Sequence, residues 1–170
     1  MKDIKYVRIN EELIHVFDYV RYVYDNEIGD CFFHLDLIVT EVVIIKYVFD
    51  QEVKVSLVYN NGEEHTFTML VQGVTEVGNA EIPILELCVK IDDPEKFQEL
   101  KIVKWDTPLE EYSLGNNITI EEIRRIEMPN REVQFEATLP IDLEEWVYSN
   151  RHKISTILTE ALTDYKNKKI

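Results

Sequence analysis

Apolar positions fall into three successive patterns along the chain. Residues 4–9 read as a short strand, and Asn10 then stands as an N-cap for a helix over residues 11–25, with Leu13, Val16, Phe17, Val20 and Val23 on one face. The acidic residues Glu11 and Glu12 would suit the dipole of its first turn. From Cys31 to Lys90 β-branched and aromatic residues take over, and residues 53–59 and 65–71 flank Asn60-Asn61-Gly62, a turn sequence that predicts a hairpin. Residues 32–39, 42–49 and 82–90 are read as further antiparallel strands. Residues 38–49 would also suit a buried helix, because period alone does not separate the two for a short apolar run.

Asp92-Asp93-Pro94 opens a short helix reaching Leu100, residues 102–105 form another strand, and residues 108–117 a loop. Thr119 and Glu122 have the spacing of a capping box ahead of Ile123 and Ile126, which predicts a helix over residues 120–127 that stops at Met128-Pro129. The expected boundary is Pro129-Asn130. Beyond it, Val133, Phe135, Ala137 and Leu139 alternate with Glu132, Gln134, Glu136 and Thr138, the period of a strand with one buried face. Pro140 ends that strand. Asp142 is placed to cap a helix carrying Leu143, Trp146 and Val147, residues 150–153 are polar enough to turn, and Ser155 is placed to cap a second helix with Ile157, Leu158, Ala161, Leu162 and Tyr165. One long helix over residues 143–166, packed on the chain's own sheet, is the competing reading of the same spacing. The expected fold class is α+β: a mainly antiparallel sheet with few helices over residues 1–130, then a β-α-α unit over residues 131–170.

Composition adds a constraint on partners. With 170 residues, 45% of them hydrophobic, and only five Gly and five Pro, the chain is long enough to bury a core without a metal or disulfide. The net charge is −15, a sign that repels phosphate backbones and anionic membranes. Six Lys/Arg and seven Asp/Glu lie in the last forty residues, which leaves twelve and twenty-six for the first 130. The acidity therefore belongs to the N-terminal part, where it would suit a basic protein partner. Residues 28–49 are broken by Asp30, His34, Asp36, Glu41 and Lys46, so no membrane span is expected there. Cys31 and Cys88 lie far apart in apolar surroundings and no secretion signal pattern is visible, which points to free thiols in a reducing cytoplasm.

Chemistry-bearing residues form no familiar constellation. His15, His34, His65 and His152 are scattered, and neither cysteine lies at a metal-ligand spacing from any of them. Carboxylate pairs such as Asp36 with Glu41 could meet in space, but an acidic solvated surface accounts for them. Gly-rich phosphate loops and nucleophile elbows are absent from the sequence, so neither catalytic residues, nor a cofactor, nor a metal, nor enzymatic activity is expected. Tyr6, Tyr19, Tyr22 and Tyr24 would line either a recognition surface or the edge of the core.

A strand and two short helices cannot bury a core within forty residues, so the C-terminal unit needs the rest of the chain or a second copy. The run Leu139-Pro140-Ile141-Asp142-Leu143-Glu144-Glu145-Trp146-Val147, followed by Ile154-Ser155-Thr156-Ile157-Leu158-Thr159-Glu160-Ala161-Leu162-Thr163-Asp164-Tyr165, resembles ribbon-helix-helix proteins, the class of Arc, the methionine repressor and CopG. That resemblance covers the last forty residues only. It implies a homodimer whose paired strands enter the major groove of double-stranded DNA while the second helix's N-terminus meets a phosphate. By position it would put Gln134, Glu136 and Thr138 in the groove, Lys153 and Ser155 at the phosphate, and Val133, Phe135, Ala137, Leu139, Trp146, Leu158 and Leu162 in the dimer core. Glu136 departs from the residues usual at that position: its carboxylate can accept from cytosine N4 but is repelled by phosphate. Three functions follow as expectations: a DNA-binding transcriptional regulator with an acidic sensing or assembly domain, an acidic protein-interaction module whose C-terminal unit only dimerises, and an enzyme or ligand binder built around an unmarked cleft.

Overall fold

The structure is a computed structural model that describes residues 3–26, 28–75, 81–97, 99–104, 114–115, 117–130, 132–134 and 136–169, without the side chains of residues 95, 96 and 169. The chain divides into two compact units, residues 1–130 and 131–170, and its class is α+β.

Among its described residues the first unit holds eight strands: β1 (Ile4–Ile9), β2 (Glu12–Ile14), β3 (Asp18–Asp25), β4 (Cys31–Ile38), β5 (Glu52–Tyr59), β6 (Glu64–Val74), β7 (Ile84–Ile91) and β8 (Lys101–Val103). Helix α1 (Glu41–Tyr47) joins β4 to β5, and α2 (Ile120–Ile126) follows β8. The strands form one mixed sheet in the order β2-β1-β5-β6-β7-β4-β3-β8, antiparallel except where β3 meets β8. Two helices of two turns each cannot cover a flat sheet of this width, so the sheet covers itself by curling. β1 and β3 have β5, β6, β7 and β4 between them in the sheet, yet the Tyr19 hydroxyl accepts a hydrogen bond from the Ile4 amide at 3.0 Å. The Arg21 guanidinium likewise lies 5.6 Å from the centre of the Tyr59 ring on β5. Inside the curl, Val7, Ile9, Phe33, Leu35, Leu37, Val55, Leu57, Met69, Leu85 and Leu87 are buried together with Val43, Ile44 and Tyr47 of α1. Each such side chain contributes about 1.5–3 kcal/mol relative to exposure.

Strands over residues 4–9, 32–39, 53–59, 65–71 and 82–90 match β1, β4, β5, β6 and β7, and Gly62 supplies the positive φ, 87°, of the turn between β5 and β6. The expectations for residues 11–25 and 42–49 are corrected. Residues 11–25 form no helix; they make β2 and β3. Asn10 and Glu11 both have positive φ, 50° and 72°, the geometry of a two-residue hairpin turn between β1 and β2. Asn10 is fixed there by its backbone N–H on the Lys54 carbonyl at 2.8 Å and its side-chain oxygen on the Lys54 amide at 2.9 Å. Residues 42–49 are not a strand, since residues 41–47 form α1. β4 and β5 are not neighbours in the sheet, so the chain must cross the core between them, and a helix does so with its own backbone satisfied. Thr40 caps α1 by accepting from the Val43 amide, and Tyr47 donates to the Ile9 carbonyl at 3.3 Å.

A 3-10 turn, Pro94–Phe97, replaces the helix expected as far as Leu100, and β8 is the strand expected at residues 102–105. Trp105 lies outside the described residues, as does most of the loop expected at 108–117. The capping box of α2 is formed in both directions: the Glu122 amide donates to the Thr119 hydroxyl at 3.3 Å, and the Thr119 amide donates to the Glu122 carboxylate at 2.9 Å. α2 buries Ile120 and Ile123, and its Arg124 grips Glu41 of α1 through two bonds of 2.7 and 2.8 Å.

In the second unit, α3 (Ile141–Ser149) and α4 (Ile154–Lys169) are separate helices. The single long helix over residues 143–166 is excluded by the turn at 150–153, where Asn150 ends α3 with its amide and its side chain both on the Trp146 carbonyl. Asp142 does not cap α3; Pro140 occupies that position without a side-chain bond, and its carbonyl accepts from Leu143 and Glu144. Ser155 sits inside the first turn of α4 instead of ahead of it. The described residues of 131–139 form no strand, for the physical reason that a strand needs a neighbour for its N–H and C=O groups and none is supplied to this segment among the described residues. Arg131 and Phe135 lie outside the described residues.

Candidate functional site

The outward faces of β3, β4 and β7 carry the side chains that the curled core does not use. On β4, Phe33, Leu35 and Leu37 point inward, so Phe32, His34 and Asp36 share the opposite face. Register places Tyr22 of β3 beside His34, Cys88 of β7 on the other side of His34, and Glu86 of β7 beside Asp36. These residues line an open cavity of about 1240 Å³ whose walls include Val20, Tyr24 and Leu70. A bulge in β6 between Val71 and Gly73 brings Gly73 opposite Glu86, and the missing side chain makes room for that carboxylate: a Cβ at Gly73 would stand 2.5 Å from Glu86 Oε2.

Electrostatics differ sharply across this face. The imidazole of His34 stacks on Tyr22 with ring centres 4.8 Å apart and meets Tyr24 edge-on at 6.0 Å. Burial holds its pKa below the ordinary histidine value, so it is neutral at pH 7. Asp36 is pushed up to about 7, first by burial and then by the charge of Glu86, against a hydrogen bond from Tyr22 that acts the other way. Its Oδ1 is closed off from solvent and accepts no hydrogen bond. Burial, with Asp36 adding to it, also raises the Cys88 thiol, which keeps it protonated and a poor nucleophile. Neither cysteine is in a disulfide. Among the described residues no three His, Cys, Asp or Glu side chains stand as a metal-binding group.

A solvated acidic surface, the expected account of Asp36 and Glu41, is corrected: Asp36 stands opposite Glu86, and Glu41 is buried, 2% exposed, in the grip of Arg124. Neither Glu86 nor Phe32 carries a local sequence signal, Cys88 reads only as a free thiol, and Tyr22 and Tyr24 stand on β3 instead of the helix expected over residues 11–25. The available signal was polar His34 and Asp36 two residues apart in an otherwise apolar strand, which places both on one face.

The residues expected at a DNA-binding ribbon occupy a different environment. Gln134, Glu136 and Thr138 are all exposed, and so are Val133, Ala137 and Leu139. Lys153 is the last residue of the turn before α4, with Ser155 in the first turn beyond it. Trp146 of α3 is 46% exposed, Leu162 of α4 is 60% exposed, and Leu158 is half-buried; no described residue of this unit is buried. Along α4, Ile154, Ile157, Leu158, Ala161, Leu162 and Tyr165 recur at the spacing of one helix face.

No protein-family model, curated protein or solved structure matches this chain. Among the described residues, no helix is long and apolar enough to cross a membrane.

Proposed function

We propose that this chain is a homodimeric DNA-binding regulator of the ribbon-helix-helix type, with the acidic N-terminal unit as its sensing part. The observation that carries the reading is the uncovered apolar stripe of residues 131–170: Ile141, Leu143, Trp146, Leu162 and Tyr165 are exposed although their spacing is that of a buried face. The described residues of 131–170 bury no side chain, and a second copy would supply two partners together. It would cover the helices and offer the described residues of 132–139, which form no strand, an antiparallel neighbour. In that arrangement Gln134, Glu136 and Thr138 face the groove, while Lys153 and Ser155 meet phosphate at the start of α4.

The charge of −15 acts against DNA, so affinity is expected to be modest and to fall steeply with salt. Glu136 adds a carboxylate at the centre of the reading surface. Glu136→Gln should therefore tighten binding to a pool of random 30-base-pair duplexes, measured by fluorescence anisotropy at low salt, by roughly tenfold. Unchanged affinity would remove Glu136 from the groove. A second reading, an acidic module that binds a basic protein while residues 131–170 only dimerise, is favoured by the concentration of acidic charge in the first 130 residues. It predicts a dimer with no affinity for any duplex.

A further inference from the structure

We propose that the outer-face cavity of β3, β4 and β7 binds an organic cation, an ammonium or similar charge carried on an apolar or aromatic body. This names the ligand class of the sensing part but rests on the cavity alone: a chain that proved monomeric would still contain it.

Three features of the cavity select that chemistry. First, Asp36 and Glu86 are direct cross-strand partners, and like charges in that relation repel until a cation lies between them. Glu86 is exposed and Asp36 is partly buried, and both line the cavity. Secondly, Tyr22, Tyr24 and Phe32 provide aromatic walls, whose faces attract cations once water is displaced. Thirdly, three of the other polar groups carry no positive charge. From β4 His34 is neutral, from β7 the Cys88 thiol stays protonated, and from β3 the Tyr22 hydroxyl already bonds to Asp36. Lys104, after β8, also lines the cavity and is its one cationic side chain among the described lining residues. A bare metal ion fits poorly, since the two carboxylates lack a third ligand of the usual kind among the described residues. The volume, about 1240 Å³, suits a drug-sized ligand better than an inorganic ion.

The probe is tetraphenylphosphonium, compared with tetraphenylborate, which has nearly the same size and apolar surface but the opposite charge. Titration calorimetry on the full chain at pH 8 should show the cation binding and the anion failing to bind. Asp36→Asn and Glu86→Gln should each weaken the cation at least tenfold, whereas Glu160→Gln, which removes the same unit of charge from the other unit, should leave it unchanged. Affinity should also fall between pH 8 and pH 6 in the unsubstituted chain, as Asp36 takes up a proton, and this fall should vanish in Asp36→Asn. Absence of cation binding, equal binding of both ions, or equal effects of Glu160→Gln and Glu86→Gln would each overturn the proposal. Because Glu86 is exposed, Glu86→Gln tests the site even if Asp36→Asn alters folding.

Discussion

Residues 1–130 and residues 131–170 carry equally regular apolar patterns and treat them in opposite ways. In the first unit Leu35, Leu37, Leu57, Leu85 and Leu87 are sealed inside a sheet that curls until β1 reaches β3. In the second, the α4 stripe from Ile154 to Tyr165 has nothing buried behind it. Periodicity thus reports which face of an element wants to be covered, and says nothing about whether the same chain holds the cover. A curled sheet is its own cover; the described residues of the second unit bury no side chain. If a second copy covers those helices, as proposed, the stability of the first unit should be independent of concentration, and that of the second should depend on it.

The comparison can be broken most forcefully inside the first unit. Glu41 is buried and its charge is balanced by the two bonds from Arg124, so Arg124→Ala should cost about 3–5 kcal/mol, read as a lower urea midpoint at every protein concentration. A loss that disappears at high concentration would mean that this unit too depends on a partner.

Next in size is Asp36, whose folded pKa of about 7 lies above its ordinary value of 3.8. The native chain keeps a proton there that the unfolded chain releases. Its contribution to stability is therefore fully present below pH 4, is lost as pH rises toward 7, and is absent above that. Asp36→Asn should stabilise the protein by about 2–4 kcal/mol at pH 8, change little at pH 4, and flatten the slope between, as followed by thermal melts across that range. A destabilised variant at pH 8 would show that the carboxylate is held by interactions stronger than its burial penalty. A native site that gives up stability in this way is typical of a place kept for binding.

In the second unit, Leu162→Ala separates covered from uncovered directly. If Leu162 stayed exposed the change would be nearly neutral; buried between two copies it should weaken dimerisation by about 2 kcal/mol, roughly thirtyfold in dissociation constant, without moving the melting of the first unit. Sedimentation equilibrium reads that difference. The smallest effect expected is local to the first unit: Thr119→Ala removes one side of the α2 capping box and should cost about 1 kcal/mol in chemical denaturation.

What the sequence disclosed follows the range of the forces involved. Asn60-Asn61-Gly62 and the Thr119/Glu122 box act within four residues, and both appear where their chemistry requires. Leu13, Val16, Phe17, Val20 and Val23 satisfy a helical period, yet they were overruled by Asn10 and Glu11 turning the chain back on itself. A glutamate at φ 72° carries no turn signature. The β-branched run after Thr40 looked like a strand, and it became α1 because the sheet order makes the chain cross the core at that point. The cavity was least legible, since Asp36 and Glu86 are brought together by a β4–β7 register that joins positions fifty residues apart.

The most direct measurement is the solution mass of the full chain by light scattering over a range of concentrations, beside that of the Leu162→Ala variant. Dimerisation through residues 131–170 predicts twice the chain mass of 20.1 kDa, with the variant shifting toward the single-chain value on dilution. A single-chain mass for the unsubstituted protein at every concentration would contradict the dimer, and with it the ribbon and the regulator.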